Sequence, residues 1–138
     1  MNITPLITDN ISELLVKVIE FTQSRQKTLT QNINNIHDPG FIPQDLAVDE
    51  FTDVLNHAIE EHIRNQRLVL RDTDNIKFGF SGSFEVEPMV DEYAKELLDE
   101  NRDEYLVLQI NKLLENSLNQ RIAAEMLRQK HGMISILE

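Results

Sequence analysis

The chain has no cysteine among its 138 residues, which excludes a disulfide framework, a thiol nucleophile and any cysteine-ligated zinc. It has no tryptophan and only four glycines, too few turn formers for a sandwich or barrel of many short strands. Basic residues are scarce as well: 13 Lys and Arg stand against 24 Asp and Glu, a net charge of −11. Binding to nucleic acid rests on neutralising phosphates with Lys and Arg, so no nucleic-acid partner is expected. No apolar run approaches the roughly 20 residues that cross a bilayer. Met1 to Asp9 lacks the basic start and apolar middle of a cleaved secretory signal, so any export is expected to proceed without one.

What is present is long helical periodicity. A hydrophobic content of 41% is enough for one core, and the length suits a single domain over residues 1–138. The class is mainly α. The first helix is expected over about residues 9–37, with Asp9 or Asn10 as cap and Glu13 in the acceptor position of a capping box. Ile11, Leu15, Val18, Leu29 and Ile36 follow alternating steps of four and three, with Thr22, Arg25 and Asn32 at the matching positions between. That is a seam for a partner helix, and its polar interruptions would fix register at some cost in stability. The helix should stop near Ile36 or His37. Pro39 pushes Asp38 away from helical dihedrals, and Gly40 can take the positive φ of a type II turn.

The connecting region, residues 38–87, is expected to hold a shorter helix over 49–67 capped by Asp49, with Phe51, Val54, Leu55, Ala58, Ile59, His62 and Ile63 on one face. Leu68 to Leu70 and Ile76 to Phe80, separated by the turn formers Asp72 to Asn75, could pair as a small hairpin over 68–80. Ser81-Gly82-Ser83 reads as a flexible break. The last helix is expected over 88–131, because after Pro88 no proline or glycine intervenes before Gly132. Such a rod would be roughly 65 Å long. Within it Leu106, Ile110, Leu114, Leu118, Ile122 and Met126 recur at a strict step of four, which winds around the helix by roughly 200°. One antiparallel partner does not cover so wide a surface. The two long helices are therefore expected to pack as an antiparallel, coiled-coil-like pair, leaving Ile11, Leu15, Val18 and Leu29 with the step-of-four residues as an assembly interface.

Charge is distributed to suit that. Residues 1–41 carry 4 acids and 3 bases, residues 85–104 carry 9 and 2, and residues 105–138 carry 3 and 4. The two ends are nearly neutral, so they can crowd against copies of themselves while the acidic middle stays solvated.

Catalytic constellations are poor. His57 and His62, with Glu60 and Glu61 between them, miss the His-Glu-x-x-His spacing that puts two imidazoles on one metal. Asp99-Glu100 and Asp103-Glu104 are adjacent in sequence and point to different sides of a helix. Ser81 and Ser83 lack the strand-to-helix elbow of a nucleophilic serine. Neither an enzyme nor a cofactor is expected.

The run Asn32-Ile33-Asn34-Asn35-Ile36-His37-Asp38-Pro39-Gly40-Phe41 resembles the N-terminal signature of the bacterial flagellar axial proteins, Asn-Ile-Ala-Asn-Ala-Asn-Thr-Pro-Gly-Tyr. Asn32, Ile33, Asn35, Pro39 and Gly40 match, and Phe41 stands for the aromatic. Asn34, Ile36, His37 and Asp38 depart from it. Asn101 and Tyr105 are similar to an Asn-x-x-x-Tyr pattern in that family's C-terminal helix, and Val86-Glu87-Pro88 resembles the segment leading into it. The likeness covers about residues 10–50 and 85–127, and is nearest to the short members of the basal-body rod family. It implies terminal helices stacked concentrically into a tube that transmits torque. It also implies type III export without a cleaved signal, and partners among other rod subunits and the basal-body or export-apparatus components. A soluble helical adaptor or chaperone, binding a partner helix along Leu114, Leu118 and Ile122, is the alternative that the same apolar stripe allows.

Overall fold

The first helix ends at Asn34, just short of the expected stop near Ile36 or His37. In the computed structural model, which describes residues 4–79 and 84–137 and side chains from Asn10 to Gly132 within them, α1 runs Thr4–Asn34. It begins upstream of the expected cap, so Asn10 lies inside it. There the Asn10 amide donates to Nδ1 of His62 and to the carbonyl of Gln66, both at 3.3 Å, tying α1 to the end of the next helix.

The turn after α1 forms as its residues dictate. Gly40 has φ +77°, and the Phe41 N–H returns to the Asp38 carbonyl at 3.2 Å, closing Asp38 to Phe41 as a tight turn. The chain then runs through β1 (Gln44–Asp45) into α2 (Val48–Asn65). Asp49 is not the cap of α2. Ala47 takes that position without a side-chain bond, and Asp49 and Glu50 occupy the first turn, where their charge still suits the helix dipole. Phe51, Val54 and Ala58 are buried, but Ile59 and Ile63 are exposed, so the apolar face of α2 is narrower than its spacing suggests.

Leu68 to Leu70 form no strand. β2 (Ile76–Lys77) instead pairs antiparallel with β3 (Glu85–Val86), Ile76 opposite Val86. The turn at Asp72 to Asn75 does form: the Asp72 carboxylate accepts from the Phe78 N–H at 2.9 Å, and the Thr73 hydroxyl accepts from the Ile76 N–H at 3.1 Å. Phe80 and the Ser81-Gly82-Ser83 break lie outside the described residues. A second antiparallel pair is made at long range: β4 (Met89–Val90) lies against β1, with Gln44 opposite Val90.

The expected rod over 88–131 is two helices. α3 (Glu92–Glu100) and α4 (Arg102–Leu137) meet at Asn101, which is extended at φ −153° and ψ 96°. Asn101 caps α4, its side-chain oxygen accepting from the Glu104 N–H at 3.2 Å. At the front of α3, Asp91 accepts from the Ala94 N–H at 3.1 Å.

α1 and α4 pack together along their lengths. Their direction is antiparallel, because Tyr105 reaches Asn32 while Asn116, further along α4, reaches Thr22, earlier on α1. One core lies under α1 and α2, where Phe21 and Phe51 stack at 4.1 Å with Leu46, Val54, Ile76 and Phe78 around them. A smaller one, of Ile36, Ala94, Leu97 and Tyr105, sits at the α3–α4 corner, with Leu106 packed against it.

Candidate functional site

Asn32 is almost completely buried and acts as a one-residue strand. Its amide nitrogen donates to the Gln44 carbonyl at 2.7 Å, its amide oxygen accepts from the Gln44 N–H at 3.1 Å, and the same nitrogen donates to Oε1 of Gln109 at 2.9 Å. The Asn32 carbonyl accepts from the hydroxyl of Tyr105 at 2.8 Å. The two stretches on which the resemblance rests therefore meet in space. Asn35 returns its amide to the Gln31 carbonyl at 2.9 Å, and Ile33 accepts the Ile36 N–H, so both finish the helix end. Pro39 and Gly40 form the exposed turn, and Phe41 is half-buried behind it. Arg102 donates to Nδ1 of His37 at 3.2 Å, closing that turn onto the start of α4.

About two turns back along the α1 seam lies an alternating charge chain. Arg25 forks onto Asp45 at 2.9 and 3.1 Å, and Lys112 bridges Asp45 at 2.9 Å and Asp91 at 2.6 Å. These four residues join α1, β1, the cap of α3 and α4. Burial alone would raise the Asp45 pKa, but the hydrogen bonds and charges of Arg25 and Lys112 outweigh it and hold the carboxyl below its ordinary value. Burial likewise opposes the charge on Lys112, and its two carboxylates more than compensate, so its pKa is raised. The sequence marks Arg25 as a polar interruption, but Asp45, Asp91, Lys112, Gln109 and Asn116 carry no local signal and are found only in three dimensions.

The contact face of α4 is therefore largely polar: Gln109 and Asn116 are buried alongside Tyr105 and Ala123. As a consequence its apolar stripe points elsewhere. Ile110 (48% exposed), Leu114 (65%) and Leu118 (57%) are open to solvent, as are Ile122 and Met126. The remaining members of the expected assembly interface are used inside the chain. Leu15 and Leu29 are buried, Val18 packs on the first core, Leu106 on the second, and Ile11 is half-buried. On α1, then, Leu15 and Leu29 are turned into the chain's own fold, while Ile11 and Val18 stay half-exposed.

Where α1, α2 and α4 diverge, a cleft of about 300 Å³ opens between Leu15, Val18, Phe51 and Leu55 on one side and Ala123 on the other. Ile122 and Met126 form its rim on α4, so the cleft continues the stripe. Among the described residues no group of His, Asp or Glu is placed to hold a metal, and no helix is long and apolar enough to cross a membrane. Neither a protein-family model, nor a curated protein, nor a solved structure matches the chain.

Proposed function

We propose that the chain is a structural subunit of the bacterial flagellar basal-body rod, similar to the proximal rod protein, joining its neighbours through the outward face of the α1–α4 pair. The observation that carries this reading is the stripe from Ile110 to Met126, apolar and solvent-facing on a helix whose inward face is polar. An apolar surface of that extent on a soluble chain marks a contact with another protein. The junction of Asn32 with Tyr105 supports the same reading, since it gives both stretches of the resemblance one structural task. On this reading the subunit reaches the periplasm through the flagellar type III apparatus. It meets other rod subunits and the ring or export components, and has no cofactor and no catalytic role.

The test is fractionation. A tagged chain expressed in its flagellated host should co-purify with detergent-extracted hook–basal bodies, and Leu114→Glu should leave it in the soluble fraction. Recovery of the native chain solely as a soluble complex with one other helical protein would replace the rod reading with the adaptor or chaperone.

A further inference from the structure

The outward face of α4 carries a second, finer pattern than the step-of-four stripe. Asp103, Val107, Ile110, Leu114, Ser117 and Arg121 follow alternating steps of four and three, and every one of them is exposed or half-exposed on the side turned away from α1. This is a coiled-coil seam with nothing opposite it among the described residues. Its ends carry opposite charges, and neither Asp103 nor Arg121 forms an ion pair among the described residues.

We infer that this seam is closed by a second copy of itself, running antiparallel. When Ile110 of one copy is set opposite Leu114 of the other, Val107 faces Ser117 and Asp103 faces Arg121, once at each end of the contact. The seam is thus self-complementary about a twofold axis, the requirement for a closed dimer. A parallel pair would set Asp103 against Asp103 and Arg121 against Arg121, and like charges at facing positions are unfavourable. Leu118 flanks the seam and is covered with it. The inward face of α4 takes no part, so the α1–α4 packing and the Asn32–Tyr105 junction stay as they are. The dimer does not depend on the flagellar reading. In a chain that also enters a tube, the two contacts compete for the same residues, and the dimer keeps the stripe covered until incorporation.

Because the chain has no cysteine, disulfide trapping reads the register directly. Val107→Cys chains mixed with Ser117→Cys chains should cross-link under mild oxidation, while either variant alone should not. In the antiparallel register the two copies of either position lie about 15 Å apart along the helix, beyond disulfide reach. Efficient self-cross-linking of Val107→Cys, or no cross-link in the mixture of folded chains, would overturn the proposal. As a second readout, Arg121→Asp should weaken the dimer roughly tenfold in sedimentation, two attractive pairs becoming two repulsive ones. Asp103→Arg combined with Arg121→Asp should restore it; a double variant as weak as the single one would contradict the pairing. Both sites are exposed, so circular dichroism should be unchanged throughout. Failure of the chain to co-purify with basal bodies would leave these outcomes untouched.

Discussion

The hydroxyl of Tyr105 donates to the main-chain carbonyl of Asn32 across 2.8 Å, joining stretches 73 residues apart in the chain. Both residues are buried, and through them the last turn of α1, the β1 arm and the first turn of α4 are held at one point. Tyr105→Phe leaves that carbonyl without its partner, and the expected cost is about 1–2 kcal/mol in urea unfolding. Asn32→Ala removes bonds to Gln44 and to Gln109 together, and should cost roughly 3 kcal/mol. If the two substitutions prove equally mild, the junction is not a structural centre.

The Arg25–Asp45–Lys112–Asp91 chain predicts how stability depends on pH. Asp45 is lowered in the fold, so its contribution is present above its unfolded pKa and is lost as pH falls through the folded value. Lys112 is raised, so its contribution is present below its unfolded pKa and is lost as pH rises through the folded one. Tyr105, pushed up to about 12 by burial and by the Asp91 carboxylate, acts in the same direction as Lys112. Stability should therefore be level around neutrality and decline on both the acid side and the strongly alkaline side. Asp45→Asn should cost about 3 kcal/mol at neutral pH, since it strands Arg25 at a largely buried site and leaves Lys112 with Asp91 alone, and should flatten the acid limb. A variant whose acid limb is unchanged would show that other carboxylates set it.

Two glycines should answer the same substitution with opposite signs. Gly40 sits at φ +77° with open space around it, so Gly40→Ala meets no clash but forces a side chain into the left-handed region, at about 1–2 kcal/mol. Gly40→Asn should cost less, since Asn tolerates that conformation. Gly132 lies within α4, and a methyl group added there would meet nothing within 4 Å, so Gly132→Ala should stabilise by up to about 1 kcal/mol. Thermal unfolding of the three variants, measured side by side, checks the ordering.

Much of the helical framework is legible in the sequence because it rests on local chemistry. The stop after Asn34, the positive φ of Gly40 and the seam through Thr22, Arg25, Leu29 and Asn32 all follow from residue type and spacing. The break at Asn101 does not show as a proline or glycine would: Asn101 and Glu104 have the spacing of a helix start, but so do Ser117 and Gln120, which lie inside α4. The paired strands are illegible for a different reason: each is two residues long, and alternation cannot be read from so little. The residues that α4 turns to α1 are the least legible part. Gln109 and Asn116 are buried there, because they satisfy Asn32 and the Thr22 carbonyl. Side-chain type alone does not say which hydrogen-bonding partner a distant helix will bring.

Whether the outward face of α4 is finished by another molecule is tested most directly by light scattering across a concentration series. The native chain should gain mass as concentration rises, while Ile110→Glu with Leu114→Glu should remain a monomer with the same helical content and the same unfolding midpoint in dilute solution. A native chain that stays monomeric at every concentration, or a double variant that unfolds, would mean that the stripe belongs to the chain's own fold.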